Sequence, residues 1–378
     1  MRDEVVNMID LKKAQQLILE ATPVLGRESV PILGALNRVL AEAIIAVEDH
    51  PKSDISALDG YAVRHASLFN NVEPEGPEEL KIIGESPAGR PCGAVVGKGE
   101  AVRIMTGGLL PDGADTVIKI ENTVETNGYM KCTKRPQRGD GIRFRGDSLK
   151  SGDVVLDSGD IVTPMEIGAL ASLRRAYVYV HRNPVVAVLS TGDELSDFHE
   201  PSSPSKVMCS NLYALAAQVM DIGATPLLLG IVADDVKEQQ ATLLEALRAD
   251  VIITSGGTSR GKYDLVHKVF ASLGMAVRFS NIFAKPGKPT TFGTIHNSLI
   301  FGLPGNPSAT MLSFDQFIKP ALLKMMGHRD VLGNVSGQTS LSRDNGPFSR
   351  IDSFNAKHGG NKDHHRASQV PLKKTQKA

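Results

Sequence analysis

Val251-Ile-Ile-Thr-Ser-Gly-Gly-Thr-Ser-Arg-Gly-Lys-Tyr-Asp264 decides the fold. Val251 to Thr254 is a short β-branched run bounded by glycines, which predicts a buried strand. Ser255, Gly256, Gly257, Thr258 and Ser259 follow. Two adjacent glycines let backbone N–H groups turn toward an anion, and the hydroxyls add donors. Asp264 then precedes an amphipathic run of Leu265, Val266, Val269, Phe270 and Leu273, where it suits a helix N-cap. Strand, small-residue loop and helix are how a parallel sheet builds an oxyanion cradle at a strand's carboxyl end. A Gly-Gly pair alone would fit a plain βα turn; Arg260, Lys262 and Asp264 beside it favour a site.

On either side of this stretch the chain alternates strand and helix. Val185–Ser190, Thr225–Ile231 and Leu299–Phe301 read as strands, and Val236–Arg248 as a helix. Asn211 reads as the cap of a helix running to Met220. Met275–Phe279 and Thr290–Gly293 read as further strands. The alternation predicts a parallel sheet with right-handed crossovers. Thr191-Gly-Asp-Glu194, Ala233-Asp-Asp235, Ser255–Asp264 and Leu303-Pro-Gly-Asn-Pro307 each follow a strand, so they share the carboxyl edge where open α/β sheets bind ligands. Lys285-Pro-Gly-Lys288 adds two cations on a stiff loop. Glu194, Asp234, Asp235 and Asp264 offer the oxygen ligands that Mg²⁺ prefers. Each acid is equally at home as a cap or surface charge, Asp235 above all, because a helix follows it directly.

The first half is different. Leu11 to Leu25 and Pro31 to Ala46 both show helical spacing, and Pro164 to Leu173 reads as a helix with proline near its start. Between them, residues 61–145 are rich in Gly, Pro and short β-branched runs (Leu80–Ile83, Ala94–Val96, Ala101–Ile104, Thr116–Ile120), which predicts a small β domain. Asp59-Gly60 marks a turn, and Thr106-Gly-Gly108 is a second small-residue loop.

The chain has 378 residues with Lys+Arg 42 and Asp+Glu 42, a balance that gives no support for broad nucleic-acid binding. Its length suggests two or three domains. Cys92, Cys132 and Cys209 are too few and too scattered for a disulfide framework or a zinc knuckle. No apolar run is long enough for a bilayer and the N-terminus lacks a signal-peptide core, so the expectation is a cytoplasmic protein without membrane association.

Taken together, Ser56-Ala-Leu-Asp-Gly-Tyr-Ala-Val63, Arg103-Ile-Met-Thr-Gly107, Pro111-Asp-Gly-Ala-Asp115, Gly141-Ile-Arg143 with Gly146-Asp147, Ser190-Thr-Gly-Asp-Glu-Leu195, Ser255–Ser259 with Asp264, Lys285–Pro289 and Gly302–Pro307 resemble the molybdopterin molybdenumtransferases, a family similar to the C-terminal domain of gephyrin. The resemblance implies an α/β multidomain protein. A split helical domain would span 1–50 and 146–183, an inserted β-rich domain 51–145, and a parallel-sheet molybdopterin-binding domain 184–330. It further implies insertion of molybdate into adenylylated molybdopterin with release of AMP. The implied assembly is an elongated homodimer with its cleft between protomers and a molybdopterin adenylyltransferase as possible partner. On this reading Asp59, Thr106, Asp147 and Glu194 are catalytic. Ser255, Gly256, Gly257, Thr258, Ser259, Lys285, Lys288, Pro304 and Pro307 bind substrate, and Asp234, Asp235 and Asp264 hold Mg²⁺.

The chain departs from the family pattern in two places. Asn281 stands where the family often has a lysine, and the usual C-terminal barrel is not recognisable. Residues 331–378 read instead as an atypical, disordered basic tail, with Lys/Arg at 343, 350, 357, 362, 366, 373, 374 and 377 against Asp at 344, 352 and 363. These departures leave room for a non-catalytic scaffold or degenerate paralogue. The shared α/β domain leaves room for a molybdopterin adenylyltransferase, against which the motifs before residue 183 argue.

Overall fold

The computed structural model describes residues 9–68, 79–201, 203–256, 265–283 and 289–333. They form two compact units, one holding the described residues of 1–44 and 154–341, the other those of 45–153. The basic tail expected at the C-terminus lies, from residue 334, outside the described residues.

The larger unit is built on a six-stranded sheet. Its strands are β1 (Val185–Thr191), β2 (Thr225–Val232), β3 (Val251–Ser255), β4 (Ala276–Phe279), β5 (Thr291–Ile295) and β6 (Ser298–Leu303), in the order β2-β1-β3-β6-β5-β4. Helices α1 (Ser210–Asp221), α2 (Val236–Ala246), α3 (Leu265–Ser272) and α4 (Pro307–Ser313) intersperse them. β2, β1, β3 and β6 are mutually parallel. Alternation along each strand splits the core into two layers. Val186, Val188, Val251, Ile253 and Phe301 pack on one face with Phe314 and Phe317. Ala187, Leu189, Ile252 and Ile300 pack on the other with Leu243, Ala246, Val269 and Phe270. Both faces are covered, so these strands read as unbroken apolar runs.

The alternation predicted a parallel sheet, but two of its strands are antiparallel to their neighbours. β4 and β5 are antiparallel, as are β5 and β6. Ile295 pairs with Ser298, leaving only His296 and Asn297 in the turn, and His296 takes φ 51°. A two-residue link can close a hairpin but cannot cross over to a parallel neighbour.

Of the helix expected over Leu11–Leu25, Leu11–Ala21 is helical, with the Asp10 side chain accepting from Lys13 N at 2.8 Å. Its Ala14 and Ile18 join the sheet's first core layer. The second expected helix, Pro31–Ala46, does not form. Only Ile32–Ala35 makes a short 3₁₀ turn, Asn37 turns the chain at φ 62°, and Val39 and Leu40 run extended against Ile161 and Val180. Apolar residues at positions 36, 39, 40 and 43 fit a helix by spacing, but tertiary pairing to a distant segment overrides so weak a preference. Pro164–Ser172 is helical, opened by a Thr163–Glu166 capping box.

The smaller unit is also organised on a six-stranded sheet, running Thr116–Lys119, Gly60–Val63, Glu100–Ile104, Glu79–Ser86, Tyr129–Cys132, Thr123–Thr126. Tyr61, Val63, Leu80, Ala101 and Met130 fill one side; Ala62, Val102, Ile104 and Val117 fill the other. Ala94–Val96 is not a strand: only Val96 turns inward, and Val95 is exposed.

Candidate functional site

In the larger unit, β1, β2, β3 and β6 end on one edge of the sheet, as expected from their order. There Ser190, Thr191, Glu194, Asn211, Ser255, Gly256, Gly305 and Pro307 line a small cleft of ≈ 110 Å³. Gly256 continues β3 at φ +92°, and a Cβ there would sit 2.5 Å from the Thr191 carbonyl oxygen. Only glycine lets the loop pass so close to β1. Its N–H donates to the Leu303 carbonyl oxygen at 3.3 Å, tying the ends of β3 and β6 together.

The Thr191–Glu194 turn is closed by Leu195 N donating to Gly192 O and is held from outside by Lys206 Nζ, which donates to the Asp193 carbonyl at 2.5 Å. Asp193 Oδ1 accepts from Asp234 N at 3.1 Å. Burial pushes the Asp234 carboxyl above its usual range, and the nearby charges of Asp193 and Glu194 push it further. Asp235 is the N-cap of α2, its Oδ1 accepting from Lys237 N at 2.9 Å and Glu238 N at 3.0 Å. Pro304 is buried, and Pro307 opens α4 behind Asn306, whose side chain accepts from Ala309 N at 3.2 Å. Gly257, Thr258, Ser259, Asp264, Lys285 and Lys288 lie outside the described residues.

Among the described residues, no three His, Cys, Asp or Glu side chains converge as a metal site would require. Mg²⁺ is commonly held by only one or two carboxylates together with substrate phosphates. The crowded Asp234 carboxylate fits that pattern, because a cation would relieve the like-charge repulsion on it.

Asn211 is not the helix cap its position suggests. α1 begins one residue earlier behind Cys209, and Asn211 is buried, 8% exposed. Its amide nitrogen donates to Ser255 Oγ at 2.7 Å and to the Gly305 carbonyl at 2.9 Å. Asn211 Oδ1, Ser190 Oγ and Thr191 Oγ1 are buried in the same cleft without a hydrogen-bond partner among the described residues. Sequence reasoning placed Thr191 on this edge and Ser190 in a motif but gave none of the three a role in the site. Two polar residues, Ser190 and Thr191, ending an otherwise apolar buried strand were the available signal.

In the smaller unit, the pairing of Gly60–Val63 with Glu100–Ile104 places Gly60 opposite Ile104. That register brings Asp59, one residue before, beside Thr106, two residues beyond. Asp59 Oδ1 accepts from Thr106 N at 2.7 Å and from Thr106 Oγ1 at 2.8 Å. The backbone bond first, then the hydroxyl, hold the Asp59 carboxyl below its usual range, so it is ionised at neutral pH. Gly60 is obligatory, since a Cβ would lie 1.9 Å from the Ile118 carbonyl oxygen. Asp147 occupies a separate turn, its Oδ2 accepting from Phe144 N at 2.6 Å, on a cleft also lined by Leu58, Lys119, Lys134 and Arg143.

The geometry thus gives an oxyanion-sized polar cleft on one unit and an exposed, ionised Asp–Thr pair on the other. Comparison with known proteins agrees. Residues 9–173 match the family described as "MoeA N-terminal region (domain I and II)", and residues 187–324 match "Probable molybdopterin binding domain". The molybdopterin molybdenumtransferase of Nostoc sp. is 38% identical over 304 residues, 79% of this chain and 70% of that protein. That of Haemophilus influenzae is 36% identical over 325 residues, 85% of this chain and 79% of that protein. Two crystal structures of the molybdopterin biosynthesis MoeA protein from Pyrococcus horikoshii superpose with TM-scores of 0.76 and 0.73, at 32% and 30% identity, over 86% of this chain and 81% of theirs. With both halves matched in order and relatives of this similarity covered over more than two thirds of their length, the chain belongs to the molybdopterin molybdenumtransferase family.

Proposed function

We propose that the chain transfers molybdate into adenylylated molybdopterin and releases AMP. The observation that carries this reading is the convergence of three parallel strand ends, those of β1, β3 and β6, on one polar cleft containing Ser255 and Gly256. The cleft takes phosphate oxygens of the substrate through backbone and hydroxyl donors. Lys285 and Lys288 supply positive charge for molybdate, a small dianion. Asp59, ionised and steadied by Thr106, and Glu194 supply the carboxylates of the reaction, with Asp147 as a further catalytic acid. A molybdate oxygen attacks the molybdopterin-side phosphorus of the pyrophosphate linkage; a P–O bond to molybdate forms, the bridging P–O bond breaks, and AMP leaves with the bridging oxygen.

Asp234, with Asp264, is the proposed holder of Mg²⁺, which when bound neutralises charge on the breaking linkage. Asp235 contributes chiefly as the α2 cap. The proposal includes a homodimer and a molybdopterin adenylyltransferase partner, both measurable by sedimentation. A cytoplasmic location belongs to it too; among the described residues no helix is long and apolar enough to cross a membrane.

The test is to incubate the chain with adenylylated molybdopterin and molybdate and to follow AMP. Release that depends on molybdate and stops on chelation is expected. Formation of adenylylated molybdopterin from molybdopterin and ATP would mark an adenylyltransferase, and neither product a scaffold.

A further inference from the structure

Asn211 spends both hydrogens of its amide nitrogen inside the protein, one on Ser255 Oγ at 2.7 Å and one on the Gly305 carbonyl at 2.9 Å. Thr310 Oγ1 lies 3.5 Å from the same nitrogen. That hydroxyl has its own acceptors, the Pro304 carbonyl at 2.5 Å and the Asn306 carbonyl at 2.8 Å. A backbone carbonyl can only accept, so Gly305 fixes which end of the Asn211 amide is nitrogen. The nitrogen so fixed makes Ser255 an acceptor toward Asn211. The hydrogen of the Ser255 hydroxyl then has no acceptor among the described residues, and Ser255 lines the cleft. The polarity of Ser255 is thereby set by a carbonyl on a different loop, relayed through one buried amide. Ser190 Oγ and Thr191 Oγ1, both buried and without a partner among the described residues, line the same small space.

We propose that Asn211 is a positioning residue that locks Ser255 as a hydrogen-bond donor to an oxyanion in this cleft. This rests on the functional reading above and adds to it which residue sets the sign of the cleft. The oxyanion is either a phosphate of adenylylated molybdopterin or molybdate, and the chemistry required of Ser255 is the same for both.

The test is a double-mutant cycle on the full chain with Ser255→Ala, Asn211→Ala and the pair, measuring kcat and the KM of each co-substrate by AMP release. The KM of whichever co-substrate carries the oxyanion should rise about tenfold in each single variant, the loss of one hydrogen bond to a charged group. The double variant should be no worse than the worse single, because Asn211 acts through Ser255. The co-substrate affected names the oxyanion. Losses that multiply in the double variant, or an unchanged KM for both co-substrates in Ser255→Ala, would overturn the proposal. Should Asn211→Ala melt too low to assay, Asn211→Asp keeps the shape. Its carboxylate would capture the Ser255 hydrogen, so KM should rise at least as far, whereas a purely space-filling role predicts the wild-type value. A wild-type chain that releases no AMP would sink the functional reading itself; active wild type with multiplying losses would sink only the role of Asn211.

Discussion

At the scale of single residues, the site depends on groups held in one protonation state or one hydrogen-bond polarity. Asp59 shows the first. Thr106 donates to it twice, and the carboxylate is ionised at any pH near neutral. Asparagine at this position keeps an oxygen for both bonds and removes only the charge. Asp59→Asn is therefore expected to melt like the wild type and to lose AMP release by on the order of 10²–10⁴-fold, the range for a positioned acid or base. Near-normal turnover in a steady-state assay would take Asp59 out of the reaction.

At the scale of elements, the cleft exists because β3 stops where it does. Gly256 turns the chain at φ +92° directly under the Thr191 carbonyl. Gly256→Ala forces a side chain into that 2.5 Å gap at a backbone angle that L-residues avoid. The expected cost is about 1–3 kcal/mol of stability, seen as a lower melting temperature. A rise in KM should accompany it as the β3 and β1 ends separate. Retention of both wild-type values would mean that the loop relaxes freely and that the tight passage carries no function.

At the scale of the folded unit, long-range ion pairing joins segments that periodicity treats as unrelated. Arg182, just before β1, grips Asp250, just before β3, with two bonds of 2.8 and 2.6 Å, and Val185 N adds a third to the same carboxylate at 2.9 Å. Burial alone would raise the Asp250 carboxyl, but Arg182 and the Val185 N–H together hold it below its usual range. A depressed carboxyl stabilises the fold above its unfolded-state value, about 3.9, and loses that contribution as pH falls through the folded value. The Arg182 side chain is 41% exposed, so solvent screening limits the effect. Asp250→Asn is expected to cost ~1–2 kcal/mol at pH 7. The gap to wild type should close as pH drops below about 4. Denaturant melts across that range check it; a gap that stays constant would show packing, not charge, at work.

Much of this was legible in the sequence. The runs Val185–Ser190 and Val251–Thr254 are apolar on both faces, which only a strand covered on both sides requires, and the loops that follow them had to share an edge once the strands were parallel. Asp59 and Thr106 were both singled out from their motifs. The tertiary structure decided what depends on partners far away in the chain. It paired Asp59 with Thr106 across 47 residues, drew Asn211 to Ser255 across 44 and to Gly305 across 94, and unwound the expected helix over Pro31–Ala46 into pairing with Ile161 and Val180. The physical reason is one of range. Apolar spacing records which side of a local segment is buried, and glycine and proline record local backbone angles. The partner of a buried amide or hydroxyl is fixed only when the whole chain has closed around it.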